Sequence, residues 1–411
     1  PRSTLFPYTT LFRSLGALEI GVAWLPEADR AEVTLKIDGP AGRLEARGRM
    51  PVELDGSDGH LVWGPGVVEM RVELREADLA RWTRAFPGLA LAGQADIDVD
   101  VAGDASAPSV QLRLAGRDVL WRGERVGEVA AEWVQGGDDA RIAASVGAPD
   151  GPIATATLGL PLRLDLGAGT ATWLDAQPLE LAFRAAGLTA DRLRPLWSAP
   201  GGADFLLDVT VDGRGSLDDL ALTGDVTGEY RAAGGVVPVT GRLEAGARKQ
   251  SLRFALGDGL ATVHVDTGIV LARVRRQAEA PVAATVTGEV GLALPLALAA
   301  PFIGFLHQPD GTLAGSVAVS GSLGAPRLDG TVDVVGARAT LPALNRRVRD
   351  LAAQVVFAGD RIELASLSAS SGGGTLTGSG MVTLTATPPG HDGPLWSAWR
   401  LEGGAELAAA S

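Results

Sequence analysis

The sequence contains no cysteine, which excludes disulfides, thiolate nucleophiles and cysteine-ligated zinc. Lysine is almost absent, with Lys36 and Lys249 the only two, so nearly all positive charge is arginine. Acidic residues outnumber basic ones and the net charge is −13, which disfavours a phosphate backbone and argues against a nucleic-acid partner. The four histidines, His60, His264, His307 and His391, are scattered, and none has a second ligand at metal spacing. Aromatic residues make up only 5% of the chain. Long apolar runs are missing too. The longest, residues 291–306, is uncharged but short of the ~20 residues a membrane helix needs, and it carries Pro295 and Pro301. It is expected to form a short helix covering an apolar face.

What is abundant is glycine, with 55 copies, together with 24 prolines and 46% hydrophobic residues. That mixture suits many short strands joined by tight turns. Period-two alternation runs through the chain. Val33, Leu35 and Ile37 share one face of a strand, as do Val68, Met70 and Val72. In QADIDVDVAG, Ile97, Val99 and Val101 fall on one side and Asp96, Asp98 and Asp100 on the other. The same pattern places Val110, Leu112 and Leu114 together, then Phe205, Leu207, Val209 and Val211, then Val263 and Val265. Val317 with Val319, and Val332 with Val334, complete the set. Strict alternation means one wet face and one dry face, the signature of antiparallel sheet. The fold class expected is all-β, with short helical interruptions near residues 77–87, 189–197 and 293–306.

Each interruption precedes a strand, a marker glycine, a turn and a second strand. The markers Gly103, Gly213 and Gly321 lie 110 and 108 residues apart, and Pro108 and Pro326 each follow their glycine by five. The middle copy lacks the proline. This predicts a repeat of about 110 residues, a period far longer than the coil of a solenoid.

The search for chemistry yields no catalytic set, and neither an enzyme nor a cofactor is expected. Asp96, Asp98 and Asp100 mimic the start of a calcium loop, but Val101 stands where its turn glycine belongs and Ala107 where its bidentate glutamate belongs. They read better as the solvated face of a strand. The stretch SSGGGTLTGSG (370–380) lacks the lysine and helix of a phosphate loop and reads as a wide turn or bulge between strands. Residues 1–14, PRSTLFPYTTLFRS, resemble the in-frame translation of a sequencing adapter and are set aside as an artefact. A signal or anchor before Leu15 would then be hidden. Residues 15–385 are expected to form the repeated region, and 386–411 a linker with the start of a further repeat.

The block from Gly311 to Gly380 carries G-x-L-x-G-x-V-x-V-x-G, then x-x-P-x-L-x-G, then R-x-x-D-L ending at Asp350 and Leu351, and then GGG-x-L-x-x-x-G. In this order the motifs are similar to the repeats of the TamB and AsmA-like family, with weaker versions in residues 91–120 and 201–228. The resemblance implies an elongated, twisted antiparallel sheet curled into an open hydrophobic groove, whose floor would be the alternating apolar residues named above. It further implies a protein anchored in the inner membrane and lying in the Gram-negative periplasm. Phospholipid acyl chains and an outer-membrane barrel of the TamA type would be its partners, and lipid passage and outer-membrane protein assembly its roles. The alternative reading is a secreted β-solenoid adhesin or autotransporter-passenger-like structural protein.

Overall fold

The computed structural model describes residues 17–25, 30–54, 61–64, 66–82, 90–148, 151–174, 177–193, 204–216, 219–232, 235–269, 284–303, 306–341, 346–386 and 399–410. The adapter-like segment 1–14 lies outside them. The chain forms two compact units, one built chiefly from residues up to Ala185 and the other chiefly from Ala186 onward.

In the first unit the strands are β1 (Ala17–Leu25), β2 (Arg30–Gly39), β3 (Gly42–Leu54), β4 (Leu61–Trp63), β5 (Val67–Asp78), β6 (Leu91–Asp104) and β7 (Ser109–Trp121). They continue with β8 (Glu124–Gly136), β9 (Asp139–Ala148), β10 (Gly151–Leu160), β11 (Leu162–Asp165), β12 (Thr170–Trp173) and β13 (Leu179–Leu188). The second unit carries β14 (Asp204–Ser216), β15 (Asp219–Ala232), β16 (Gly235–Ala245), β17 (Gln250–Leu256), β18 (Ala261–Thr267) and β19 (Val286–Pro295). After these come β20 (His307–Ser322), β21 (Ala325–Leu341), β22 (Arg346–Gly359), β23 (Arg361–Ser371), β24 (Gly374–Ala386) and β25 (Trp399–Ala410). Nearly everything is strand, as the alternation requires.

Twenty-three strands belong to one antiparallel sheet, and β11 with β12 forms a separate two-stranded one. Pairing follows chain order, as in a meander: β5 pairs with β6, β6 with β7, β7 with β8, and so on. The sheet is not closed into a barrel. Among the described residues the first strand β1 pairs with β2, and the last strand β25 pairs with β24.

Local chemistry sets the turns. Asp104 Oδ1 accepts hydrogen bonds from the Ser106 amide at 2.9 Å and its hydroxyl at 2.7 Å, which folds the chain between β6 and β7. The glycine-rich stretch 370–380 does lie at a turn between strands, but the turn is tight, not wide: Gly372 and Gly373 alone join β23 to β24, and the ladder slips between Leu364 and Leu367, opposite Gly380 and Gly378. Gly372 and Gly373 have positive φ, 59° and 94°, as a two-residue hairpin demands.

The helical segments are shorter than expected. Described helix is limited to four-residue turns at Leu79–Trp82, Ala190–Leu193 and Leu296–Ala299, plus a 3-10 turn at Ala300–Phe302. The expected start at 77 falls in β5, and 293–295 fall in β19. Strand pairing wins there, because Ala293 to Pro295 stay in register with Thr312 to Ala314. Residues 83–89, 194–200 and 304–305 lie outside the described set.

Two hairpins share their backbone in detail. In β6–β7, Ile97 faces Leu114, Val99 faces Leu112 and Val101 faces Val110. In β20–β21, Gly315 faces Val332, Val317 faces Gly330 and Val319 faces Leu328, the same register displaced by 218 residues. The positive-φ positions move by the same step: Gly93 at 114° and Gly311 at 118°, Gly103 at 105° and Gly321 at 96°, Asp118 at 49° and Gly336 at 62°. A Cβ at Gly93 would meet the Asp118 carbonyl oxygen at 2.6 Å, and one at Gly311 the Ala337 Cα at 2.6 Å. Glycine is needed at both places because the bulge opposite leaves no room.

Candidate functional site: an apolar sheet face

Residues directly opposite each other in antiparallel strands share a face, so the register can be followed across a sheet. In the first unit one such row passes through Ile20, Leu35, Ala46, Val72, Val99, Leu112, Trp133, Ile142, Leu158 and Leu181. Ten strands contribute, and no charged residue interrupts it. The row beside it holds Ile37, Leu44, Leu74, Ile97 and Leu114, and the row on its other side holds Val33, Gly48, Met70, Val101 and Val110. Val68, two residues before Met70, extends the same face opposite Gly103.

The second unit has its own apolar rows. One passes through Val226, Gly241, Phe254, Val263, Val290, Val317, Gly330, Phe357, Ile362 and Val382. Val265 and Val319 flank Gly288 in the next row, Val332 pairs with Gly315 and Val355, and Val334 with Leu313 and Ala353. Phe205 is packed with Tyr230 and Val239, and Leu207 borders that cluster. Val209 and Val211 continue along β14, both half-buried.

Exposure tells how these faces are covered. Of the 22 expected floor positions, Ile37, Val68, Val101, Phe205 and Val317 are buried and all the others are half-buried. Half-burial is what flanking strands alone provide. A second packed layer, as in a sandwich, would exclude water from every inward residue.

Among the described residues the faces are covered only in places. In the second unit the turn Leu296–Ala299 buries Leu296 completely against Ala337, Ala339, Val348, Leu351 and Ala369. Leu298 joins Phe205, Tyr230, Val239 and Leu294. The Tyr230 hydroxyl donates to the Leu298 carbonyl at 2.7 Å, and burial pushes its pKa up. In the first unit Gln135 is fully buried, donating to the Leu162 carbonyl at 2.7 Å and the Gly137 carbonyl at 3.1 Å. Sequence reasoning missed Gln135 and Tyr230, since nothing in an alternating run says what a polar side chain on it would bond.

The opposite face is electrostatic. Arg75 grips Asp98 with both Nη atoms, 2.9 Å for Nη1 to Oδ2, and that bond holds the Asp98 carboxyl below the usual range. Arg117 reaches Asp96 at 3.0 Å and Arg71 reaches Asp100 at 3.6 Å. The three aspartates that mimic a calcium loop are therefore consumed by arginines on the wet face. Among the described residues no group of three His, Asp or Glu side chains is placed to hold a metal, and no helix is long and apolar enough to cross a membrane. No family model, curated protein or solved structure matches the chain.

Proposed function

We propose that this chain is the periplasmic β-scaffold of a TamB-like protein, and that its apolar sheet faces carry phospholipid acyl chains between the inner and outer membranes of a Gram-negative cell. The single observation behind this reading is the unbroken apolar row from Ile20 to Leu181, exposed at Ile20 and half-buried from Leu35 onward, over which the described residues lay no second packed layer. Hydrocarbon covers such a face without needing polar partners. The 218-residue correspondence between β6–β7 and β20–β21 supports a repeated unit, as the family resemblance implies. Sequential antiparallel pairing speaks against a solenoid, whose coils stack as parallel strands. An anchor in the inner membrane and a barrel partner of the TamA type belong to the same proposal and rest on the resemblance alone.

The test is lipid acquisition. Purified protein incubated with phosphatidylethanolamine and phosphatidylglycerol vesicles, then separated from them, should retain phospholipid by mass spectrometry. Val99→Asp places an unpaired charge on the floor and should lower the lipid retained while leaving the β-sheet circular dichroism intact, because an open face lets the carboxylate reach water. Equal lipid loading by the wild type and by Val99→Asp would refute the reading.

A further inference from the structure

We propose that the hairpin formed by β11 and β12 is a flap over one end of the first unit's apolar face, and that it opens without the sheet unfolding. Among the described residues these are the only strands outside the large sheet. Their register pairs Leu162 with Trp173 and Leu164 with Ala171 on one side, and Arg163 with Thr172 and Asp165 with Thr170 on the other. The hairpin is thus amphipathic, and Leu162, Leu164 and Trp173 are half-buried.

Its attachments all lie at one end of the strands. The amides of Leu166 and Gly167 donate to the Ala105 carbonyl, at 2.7 and 3.4 Å, in the turn after β6. Arg163 holds Asp138, beside the turn after β8, through two bonds of 2.6 and 2.8 Å. Gln135 supplies the last tie. It stands on the apolar face opposite Val110 and Ala140 and is completely buried, with its amide nitrogen bonded to the Leu162 carbonyl. The hairpin therefore lies over the floor there, while Val99 and Leu112 farther along the same strands stay half-open.

The closed position is not fully satisfied. Among the described residues, Gln135 Oε1 is buried without a hydrogen-bond partner. A buried acceptor left without a donor opposes closure, and opening returns it to water. The ion pair between Arg163 and Asp138 is about half exposed, so it guides closure more than it enforces it. Apolar contact on one side and an orphaned acceptor on the other therefore act in opposite directions on closure. The motion stands on this geometry; the role of the flap as a gate for lipid rests on the reading of the apolar face given above.

Hydrogen exchange on the full chain tests the motion. Amides of residues 162–173 should exchange together, on the order of tenfold faster than those of β8 and β9. Arg163→Ala should speed the hairpin further and leave β6 to β9 unchanged. Hairpin amides that exchange in step with β8 and β9 in both proteins would overturn the flap. Ala105→Cys with Leu166→Cys, in a chain free of other cysteines, should lock it when oxidised and slow hairpin exchange until reduced. If the flap admits lipid, the oxidised form should capture less phospholipid than the reduced form at a photo-crosslinker replacing Val110, with capture at position 317 unchanged. Capture that is equal in both forms removes the gate. Absence of capture at either position refutes the lipid reading, while the exchange data still decide the motion.

Discussion

The two units solve the problem of a one-sided sheet differently. In the first, six strands of the central row in succession carry full-sized side chains: Val72, Val99, Leu112, Trp133, Ile142 and Leu158. Its wet face is tied by arginine pairs, Arg75 with Asp98 and Arg117 with Asp96 among them. In the second, glycine recurs between large residues: Gly241 between Val226 and Phe254, Gly330 between Val317 and Phe357, and Gly315 between Leu292 and Val332. A helical turn is driven into its face at Leu296 and Leu298. Among the described residues the first unit therefore leaves most of its floor half-open, while the second builds part of a cover itself.

The sharpest break of this contrast is at glycine. A Cβ at Gly315 would collide with the Thr331 carbonyl oxygen and lie 2.7 Å from the Val332 Cα, with φ already at 155°. Gly315→Ala should cost roughly 3 kcal/mol or more in urea unfolding, since backbone must move. At Gly159 in β10 the atom nearest the added one is the Glu180 Cβ at 3.6 Å, an ordinary contact. Gly159→Ala should stay within about 0.5 kcal/mol of wild type or gain slightly. Equal effects at the two sites would erase the distinction.

The covered and uncovered floors should also differ on truncation. Leu296→Ala removes a fully buried side chain from a packed cluster and should cost about 3 kcal/mol. Leu112→Ala, on the open floor, loses less buried area and leaves no enclosed cavity, so about 1 kcal/mol is expected. Chemical denaturation of both variants makes the comparison.

Smaller effects belong to the wet faces. Arg75→Ala breaks a two-pronged but half-exposed pair, and its cost should stay below about 1 kcal/mol and shrink as salt is added. In the second unit Lys249 Nζ sits 2.9 Å from Asp266 Oδ2, and bonds from Lys249 and Ser251 bring the Asp266 pKa down to about 2. A carboxyl depressed in the folded state adds stability above its unfolded pKa of 3.8 and loses it as pH falls towards 2. Carboxyl NMR titration should place Asp266 near 2, and Lys249→Ala should raise it. No stability change is expected from this group between pH 7 and 5.

Most of the sheet was legible because its signal is local. Ile97, Val99 and Val101 alternate with aspartates, and the ladder places all three on one face, as period two demands. Which strand lies beside which was also readable, since turn residues every few positions leave little choice but a meander. The helical segments were overread. Ala293 and Leu294 have high helix propensity, but pairing with Ala314 and Leu313 outweighs it. The calcium-like aspartates share one strand face as alternation requires, although nothing local names Arg71, Arg75 and Arg117 as their partners. Gln135 was invisible as a latch. Its role depends on a hairpin 27 residues away, and one glutamine in an alternating run carries no mark of what will cover it.

The central claim is that one face of the sheet carries hydrocarbon and the other does not, and adjacent residues test it most directly. Photo-crosslinking amino acids would replace Leu112 and Val317 on the apolar rows, and Arg113 and Ala318 on the wet face one residue away. Each protein would be irradiated after incubation with phospholipid vesicles and assayed for attached lipid. Labelling at 112 and 317, with little at 113 and 318, is the result expected. Equal labelling on both faces, or none at any of the four positions, would contradict it.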